Sequence, residues 1–385
     1  MRKKLLVFTS TFPRWKNDTI PPFVYELSKR LAKEFDVSVL TPNYPGAKKY
    51  EVIDGMKIHR FRYFFEKYET LAGSGGILPT LKKSKWNYFK IPFFMLGEFF
   101  ALKKQIKENR PDVIHAHWII PQGFIAAICK KLYGAEYVVT SHGSDIMGLK
   151  GFTWMKRFAL SNAKKVTVVS KFLKEEIKKI DSGIRVEVIP MGVDTELFNS
   201  IKRTPMIKRQ YEVKGKLLLY VGRLAPEKGI DLLIDAMPEV VKEYPDIKLL
   251  VIGDGTLRED LEGRVKELKI DQNVIFVGWV DNRDLPKYYA TADVFVCPSR
   301  REGLGLTFVE AGLCGCWLIG TNEGGISDVI QDKNNGVFVK KEDAKDLARK
   351  LIVSFSMDQN KKSRDFLVEN FELKNISERY ARVLR

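Results

Sequence analysis

The sequence predicts an α/β protein made of two doubly wound domains, each a parallel sheet with helices on both faces. Short apolar segments typical of buried strands alternate with amphipathic segments along most of the chain. The length of 385 residues exceeds what a single core usually serves, so two domains are expected. A stretch with Pro and Gly at residues 189–194 separates two sets of alternating elements and is interpreted as the exit from the first domain.

The first set of elements opens with a strand, a loop and a helix, which is the usual start of a doubly wound sheet. Predicted strands cover residues 4–9, 37–40, 111–118, 137–140, 166–169 and 186–189, and a first helix covers 21–34. The stretch between the second and third strands is rich in lysine and aromatic residues, and it is interpreted as irregular. The second set contains predicted strands at 217–221, 248–252, 274–277, 294–297 and 317–320, then helices at 344–354 and 363–384.

The net charge of +17 is concentrated in one half of the chain. Residues 1–195 hold 34 Lys and Arg against 18 Asp and Glu, whereas the remainder holds 31 against 30. A strongly basic first half indicates an anionic partner for that half alone. The N-terminal apolar segment is too short for a signal peptide and no run of about 20 apolar residues occurs. The four cysteines show neither a disulfide framework nor a zinc spacing, and Cys314 and Cys316 are expected to be buried thiols, so the sequence predicts a cytosolic protein.

Two carboxylates follow a predicted strand: Glu302 lies on the loop before a predicted helix that begins near Thr307, and Glu310 lies about two turns away along that helix, on roughly the same face. The free backbone amides at such a helix start can bind an anion such as a pyrophosphate, and glycines there let a ligand approach closely. The residues that supply these amides are Gly303, Leu304, Gly305, Leu306 and Thr307. The alternative interpretation is a capping carboxylate and a solvated glutamate.

Further polar residues follow other predicted strands. Arg223 and Lys228 stand where a strand passes into a helix, and two cations there suit a diphosphate, although either residue alone could be a solvated surface charge. His142, with Asp145 near it, follows a strand and could bond a substrate hydroxyl, while the bland alternative is a structural histidine. His115 and His117 are interpreted as facing opposite sides of their strand, which argues against one shared metal ion. No Asp-x-Asp occurs in the sequence.

Taken in order, the motifs GRLAPEKG, VIGDG, FVGWV, ADVFVCPSRREGLGLTFVEAGLCG and EGGISD resemble the family-four retaining glycosyltransferases of the GT-B fold. The resemblance covers nearly the whole chain. It implies two Rossmann-like domains facing across a cleft: an acceptor-binding domain at 1–195 and a donor-binding domain at 196–365. A C-terminal helix at 366–385 is then expected to pack back on the first domain.

The resemblance also implies an activity, namely metal-independent transfer of a hexose with retention from a UDP- or GDP-sugar to a lipid-linked or saccharide acceptor. No cofactor is implied, and the nucleotide sugar acts as a co-substrate. The diphosphate would leave from the same face of the sugar on which the acceptor attacks. The reaction would serve glycan or glycolipid synthesis. Rival interpretations are a non-catalytic sugar-nucleotide-binding protein, a sugar-nucleotide epimerase, and a basic nucleic-acid-binding protein. The last has no helix-turn-helix, RRM or zinc signature to support it, so no nucleic-acid partner is expected.

Residue by residue, the resemblance assigns Arg223 and Lys228 to the donor diphosphate, Glu302 to the transferred sugar and Glu310 to the ribose hydroxyls. Gly303 to Thr307 would line the sugar and phosphate pocket, Gly278 would lie near the base, and His142 would lie near the donor sugar. Arg223, Lys228, Glu302 and His142 are the expected catalytic residues.

The sequence departs from the family pattern at two places. Pro21, Pro22 and Phe23 replace the usual glycine pair of the first loop, which leaves Pro22, Phe23 and Asp145 as weaker candidates for an acceptor or phosphate loop. In EGGISD, Asp328 stands where the family usually has Glu.

Residues 82–107 carry a further hypothesis, that the basic half rests peripherally on an anionic membrane and receives a lipid-linked acceptor there. Lysines and aromatic residues interleave in this segment, and Pro92 and Glu98 interrupt it, so it is expected to lie on a surface rather than span it. The alternative is that 93–102 is an ordinary core helix whose lysines are solvated. The residues concerned are Lys82, Lys83, Lys85, Lys90, Lys103, Lys104 and Lys107 with Trp86, Tyr88, Phe89, Phe93, Phe94, Phe99 and Phe100.

Overall fold

A computed structural model describes residues 2–15, 18, 22–73, 76–149, 151–357 and 361–385, with the side chains of Lys82 and Lys361 left aside. The chain divides into two compact units. The first contains residues up to Gly192 together with Lys374–Arg385, and the second contains Val193–Leu373. The chain passes from the first unit to the second within the Pro- and Gly-containing stretch.

The first unit is built on a mostly parallel sheet. Its strands are β1 Lys4–Phe8, β2 Asp36–Pro42, β3 Tyr50–Ile53, β4 Met56–Phe61, β5 Val113–His117, β6 Tyr137–Ser141, β7 Lys165–Val168 and β8 Val186–Val188. Across the described residues the strand order is β3-β4-β2-β1-β5-β6-β7-β8. Every neighbouring pair is parallel except β3 and β4.

The helices of the first unit connect these strands. They are α1 Phe23–Leu31, α2 Ile77–Lys83, α3 Trp86–Phe89, α4 Ile91–Asn109, α5 Phe124–Tyr133, α6 Ser144–Met147, α7 Thr153–Ser161 and α8 Lys171–Ile180, with short turns at Glu66–Tyr68 and Ile119–Gly123. The start of the predicted helix at Pro21 lies outside the described residues, and α1 begins at Phe23.

The interpretation of the lysine- and aromatic-rich stretch as irregular is wrong. It contains the β3–β4 hairpin and the helices α2, α3 and α4. The hairpin turns at Asp54 and Gly55, which have φ values of 48° and 79°. Asp-Gly with two positive φ angles matches the sharp turn that suits the twist of two antiparallel strands. The hairpin is short and lies at the sheet edge, so it lacks the long apolar run that marks the buried strands.

The second unit has a parallel sheet with the Rossmann strand order. Its strands are β9 Leu217–Val221, β10 Lys248–Ile252, β11 Val274–Gly278, β12 Val294–Cys297, β13 Trp317–Thr321 and β14 Gly336–Val339. Among the described residues the order is β11-β10-β9-β12-β13-β14, with every pair parallel. The central strands are buried on both faces, which explains their continuous apolar sequences. The predicted α/β fold class is confirmed.

The helices of the second unit cover both faces of this sheet. They are α9 Pro205–Gln210, α10 Ile230–Glu243, α11 Arg258–Glu267, α12 Leu285–Thr291, α13 Leu306–Leu313, α14 Ala344–Ser354 and α15 Lys361–Phe371, with short turns at Ser200–Lys202, Pro226–Lys228 and Gly324–Asp328. One further helix, α16 Leu373–Leu384, ends the chain. The single terminal helix predicted over 363–384 is two helices, interrupted at Glu372, which bridges to Val193.

Helix α16 returns to the first unit from Lys374 onward, whereas α15 belongs to the second unit. The apolar face of α16 includes the buried residues Ile376, Tyr380 and Leu384, which are spaced by four residues. The hydroxyl of Tyr380 donates to the Ile189 carbonyl at 3.0 Å, next to the end of β8. The last helix of the chain is therefore part of the core of the first unit.

Candidate active site

The two neighbouring central strands of the second unit, β9 and β12, mark the point where the strand order reverses. The connections that leave their carboxyl ends run to opposite faces of the sheet, and this geometry opens a crevice in which Rossmann-like domains bind ligands. The loop after β9 carries Arg223 and Lys228, and the loop after β12 carries Glu302. Residues far apart in sequence are thus brought to one sheet edge.

Lys228 and Glu302 form an ion pair across these two loops. Their side chains are 19% and 15% exposed, respectively, so the pair is largely covered but open on one side. Burial is the largest single influence and lowers the pKa of Lys228, but Glu302 and Cys297 together raise it by more, so the pKa is raised overall. Lys228 is therefore a cation at neutral pH, held in place by the carboxylate that the sequence analysis assigned to the sugar.

Arg223 lies at the outer edge of the same group. Its guanidinium is exposed and donates to Glu227 at 2.9 Å, while its backbone carbonyl accepts from the Tyr220 hydroxyl at 2.9 Å. The backbone is thus fixed by a buried tyrosine, and the charged end remains accessible to a ligand. An exposed pair of this kind contributes little stability, so exchanging Glu227 for a phosphate costs little.

Arg300, which the sequence analysis missed, ties the two loops together. Its guanidinium makes paired bonds to Asp231 at 2.8 and 2.8 Å and to Glu342 at 2.6 and 2.8 Å. It also donates to the Pro226 carbonyl at 2.6 Å, and its backbone amide donates to Glu227 at 2.9 Å. These bonds hold the Pro226–Lys228 turn against the segment that leads to Glu302. Arg300 has no sequence signal of its own, because its partners are remote in the chain.

Two glycines allow these loops to pack in direct backbone contact. A Cβ atom at Gly229 would lie 2.1 Å from the Pro298 carbonyl oxygen, and one at Gly324 would lie 1.9 Å from the Glu302 carbonyl oxygen. Both residues have positive φ angles, 65° and 67°. Gly324, in the EGGISD motif, therefore leaves room for the backbone of the Glu302 loop. Asp328 ends the same short turn.

Helix α13 begins at the centre of this group. Gly305 precedes it with a φ angle of 87°, and its carbonyl accepts from the Phe308 amide at 2.9 Å. Gly303, Leu304 and Gly305 are buried, whereas Leu306 and Thr307 are half-buried. The first amides of a helix lack a carbonyl partner four residues before them inside the helix and carry a partial positive charge, which suits a phosphate.

Glu310 lies on the second turn of α13. Its carboxylate accepts from the Tyr289 hydroxyl of α12 at 2.9 Å. Burial raises the pKa of Glu310 to about 7, and the hydrogen bond from Tyr289 lowers it only in part. Near neutral pH this side chain can therefore be either a hydrogen-bond donor or an acceptor for a neighbouring hydroxyl.

Gly278, expected near the nucleotide base, ends β11 with a φ angle of 83°. Its carbonyl accepts from the Gly253 amide at 2.8 Å. Gly253 in turn packs on Gly222, where an added Cβ would lie 2.0 Å from the carbonyl oxygen. The loops after β9, β10 and β11 thus lie side by side, so Gly278 belongs to the same edge as the charged residues.

In the first unit, the side chains of His115 and His117 lie on the same side of the sheet. The rings of His115 and His117 have centroids 4.1 Å apart, so the interpretation that they face opposite sides is wrong. Residues two apart on a strand share a face. His117 Nδ1 and His142 Nε2 are 2.9 Å apart, and His115 Nε2 is 2.8 Å from the Thr140 hydroxyl.

This arrangement indicates the tautomer of His142. His117 Nε2 is buried without a hydrogen-bond partner, and an orphaned buried N–H is rarer than an orphaned acceptor. We therefore assign the proton to His117 Nδ1, which donates to His142 Nε2, and the proton of His142 to its Nδ1. Burial and the neighbouring His115 lower the pKa of His142 to about 3, so the ring is neutral and its Nδ1–H can donate to a ligand oxygen.

Two aromatic rings surround His142. Its centroid lies 5.1 Å from Phe23 and 4.8 Å from Trp118, and Trp118 was not among the predicted site residues. Pro22 is half-buried and immediately precedes α1. Asp145 is buried, and its oxygens accept from Ile119, Ser141 and Gly143 at 2.6, 2.8 and 3.1 Å. Because its carboxylate accepts hydrogen bonds from these protein groups, Asp145 holds together the loops around His142.

Within the described part of the chain, no group of three or more His, Cys, Asp or Glu side chains is arranged to hold a metal ion. Cys129, Cys297, Cys314 and Cys316 are buried free thiols, as the sequence indicated for the last two. The predicted donor residues lie together in the second unit, and His142, Phe23 and Asp145 lie together in the first.

A Rossmann-like domain with cations and a helix start at its switch point is typical of proteins that bind a nucleotide or its phosphates. The comparisons agree. Residues 203–371 match the family model described as "Glycosyl transferases group 1", and residues 22–197 match "Glycosyltransferase Family 4". The chain belongs to the family-4 glycosyltransferases of the GT-B fold.

Relatives and solved structures extend this likeness over the whole chain. A GDP-mannose-dependent alpha-(1-6)-phosphatidylinositol monomannoside mannosyltransferase from Mycolicibacterium smegmatis is 24% identical over 87% of this chain and 85% of its own. Sucrose-phosphate synthase from Thermosynechococcus elongatus superposes with a TM-score of 0.81 at 21% identity, covering 99% and 98% of the two chains. Anabaena HepE, solved in complex with UDP and glucose, gives a TM-score of 0.72 at 17% identity, covering 100% and 99%.

Proposed function

We propose that this glycosyltransferase moves a hexosyl group from a UDP- or GDP-sugar to a hydroxyl of a lipid-linked or saccharide acceptor, with retention at the anomeric carbon and without a metal ion. The observation that carries the proposal is the Lys228–Glu302 pair beside the start of α13, at the switch point of the second sheet. The cation suits the donor diphosphate, and the neighbouring carboxylate suits the hydroxyls of its sugar.

The diphosphate would bind to Arg223, Lys228 and the first amides of α13. As the bond to the sugar breaks, negative charge grows on the leaving oxygen, and groups already oriented toward it stabilise the transition state. This contact forms when the donor binds, as Lys228 exchanges Glu302 for a phosphate oxygen. Since Arg223 and Lys228 supply fixed positive charge, the reaction does not require a metal ion, and full activity in EDTA is expected.

Exchange of the ion pair also frees Glu302 for the sugar, because its carboxylate then accepts bonds from sugar hydroxyls. Glu310, on the second turn of the same helix, would accept from the ribose hydroxyls, and the backbone at Gly278 would lie near the base. Each of these residues belongs to the loops that the backbone contacts at Gly229, Gly253 and Gly324 hold together.

Retention is proposed through attack on the same face from which the diphosphate departs. A double displacement would need a carboxylate placed at the anomeric carbon, whereas this proposal assigns Glu302 to the sugar hydroxyls. In the first unit, neutral His142 offers an N–H donor beside Phe23 and Trp118, which suits a sugar hydroxyl. The mannosyltransferase relative is named for a lipid acceptor, whereas the synthase is named for a phosphorylated disaccharide product, so the proposal keeps both lipid-linked and saccharide acceptors.

The donor is tested by thermal shift with UDP-, GDP- and ADP-sugars, because a ligand that binds the folded state raises Tm. Release of nucleoside diphosphate is then measured with the best donor, and NMR of the product gives its anomeric configuration. An inverted product would refute retention. Donor binding without any release, across lipid and saccharide acceptors, would instead support the non-catalytic binding protein.

Glu302→Gln tests the assignment of the sugar contact, with Glu323→Gln as the matched control. Glu323 is a carboxylate on the neighbouring loop that pairs with Lys341 at 3.1 Å. We expect Glu302→Gln to lower kcat by roughly 10²-fold and the control to leave it unchanged. Equal kcat in the two variants would contradict the role of Glu302.

A further inference from the structure

Helix α4 has two apolar stripes, and only one of them faces the core. Phe94, Glu98 and Leu102 are buried at a spacing of four residues, and Glu98 accepts from Gln122 at 2.6 Å. This inner stripe satisfies the ordinary requirement of a surface helix. Glu98, which the sequence analysis used as a surface interruption, and Phe94, which it assigned to the membrane face, therefore belong to the core.

The opposite stripe of α4 points to solvent and is also apolar along its first half. Phe93, Leu96 and Phe100 are exposed there at spacings of three and four residues. The same spacing continues into Lys103 and Lys107, which are half-buried and exposed, respectively. A solvent-facing stripe normally carries polar residues, so three large apolar side chains in a row indicate a contact surface.

Neighbouring segments extend this stripe into one continuous surface. Phe89 of α3 packs against Phe93 with ring centroids 5.4 Å apart, and Phe64 contacts both of them. Phe65 is 71% exposed and Trp86 is 81% exposed. We define the aromatic face as Phe65, Trp86, Phe89, Phe93, Leu96 and Phe100.

Positive charge surrounds the aromatic face. Between residues 61 and 107 the sequence has nine Lys and Arg and three Glu, with no Asp. Two of the glutamates, Glu69 and Glu98, are buried, and Glu66 is paired with Arg62 at 3.1 Å. Glu108, the next residue of α4, is exposed and pairs with Lys104 at 4.0 Å, and the other exposed charge between residues 61 and 107 is basic. Among the helices of the described residues, none is both long and apolar enough to cross a bilayer.

We propose that the aromatic face docks on a membrane surface that contains anionic lipid. Trp, Phe and Leu side chains enter the boundary between headgroups and acyl chains, and the lysines around them meet lipid phosphates. A second copy of this chain is a poorer occupant, because a symmetric contact would place the lysines of both copies together. A single nucleic-acid strand is also poorer, because the face is a helix surface and not a groove. The proposal does not depend on the proposed reaction.

Co-sedimentation with vesicles tests the proposal on the full chain. At low salt we expect binding to phosphatidylcholine vesicles in which about one lipid in three is phosphatidylglycerol. Binding to vesicles of phosphatidylcholine alone should be much weaker. The variant K103Q/K104Q/K107Q should bind roughly 10²-fold more weakly at low salt. Its matched control, K174Q/K178Q/K179Q, removes the same number of positive charges from α8 of the same unit. This control should lose less affinity for the vesicles.

The aromatic contribution is tested with F89S/F93S/F100S, whose side chains are exposed, so folding is retained and is checked by Tm. I201S/M206S, which removes exposed apolar residues from the second unit, is its control. Lipids brominated on the acyl chain should quench tryptophan fluorescence in the wild type, and Trp86→Phe should remove most of that quenching.

Three outcomes would overturn the proposal. The first is a folded wild-type protein that stays in the supernatant with anionic vesicles at low salt. The second is a self-association, measured by sedimentation velocity, that F89S/F93S/F100S abolishes while vesicle binding is unaffected. The third is binding to single-stranded poly(U) RNA that displaces vesicles and depends on the same aromatic residues.

Discussion

The pKa of Glu310 leads to a quantitative prediction for donor binding. Burial places this pKa at about 7, so the ionised fraction rises from about 10% at pH 6 to about 90% at pH 8. If the ribose hydroxyls donate to the carboxylate, only the ionised form accepts both bonds. Binding then lowers the pKa of Glu310, and donor affinity should increase about tenfold across this interval.

Titration calorimetry with an intact nucleotide sugar is the appropriate assay, because a free nucleoside diphosphate has a terminal phosphate that titrates in the same interval. Glu310→Gln is the control, since its amide does not titrate, and its affinity should be independent of pH. His142 does not interfere, because its pKa of about 3 lies far below the interval. A wild-type affinity that stays constant from pH 6 to 8 would refute the reasoning.

The same pKa predicts the pH dependence of stability. Because the pKa of Glu310 is raised above its ordinary value of 4.5, the folded protein binds a proton between pH 4.5 and 7 that the unfolded chain has released. The contribution of this residue to the free energy of unfolding should therefore fall as the pH rises through that window. The Tm of the wild type, measured against pH, should fall through this window because of Glu310. In Glu310→Gln that part of the fall should be absent.

Other predictions concern residues that hold the site together. Lys228→Ala should lower kcat/KM by roughly 10²-fold in a product-release assay, and near-normal turnover would contradict the diphosphate assignment. Arg300→Lys should lower kcat/KM about tenfold, because an ammonium cannot keep two paired contacts, and unchanged kinetics would show that the loops do not need it. Gly324→Ala should lower Tm by several degrees, whereas Gly263→Ala, with open space around its Cβ position on α11, should not. His117→Asn should lower kcat more than donor affinity, and an equal loss of both would point to a structural role alone.

The sequence predicts the second unit better than the first. The strands at 217–221, 248–252 and 294–297 have the bounds that the structure shows, because central parallel strands are buried on both faces and appear as uninterrupted apolar runs. The β3–β4 hairpin was not predicted from the sequence, and the stretch that contains α4 was interpreted as irregular. An edge hairpin has exposed faces, and α4 is apolar on its outer side as well as its inner one.

Some residues of the candidate site could also be predicted from the sequence, and the sides on which two others lie were predicted wrongly. Glu302, Glu310, Arg223 and Lys228 could be singled out because they follow predicted strands. The same-side placement of His115 and His117 was also available from strand periodicity, although it was interpreted wrongly.

By itself the sequence determined the α/β class, the family and the residue types at the strand ends, since local periodicity and short motifs encode them. Only the tertiary structure decided which of these residues meet. It paired Lys228 with Glu302, joined Arg300 to Asp231 and Glu342, and brought Gly324 against the Glu302 carbonyl. These contacts join segments separated by tens of residues, and no local pattern specifies the partner of a charge or the neighbour of a glycine.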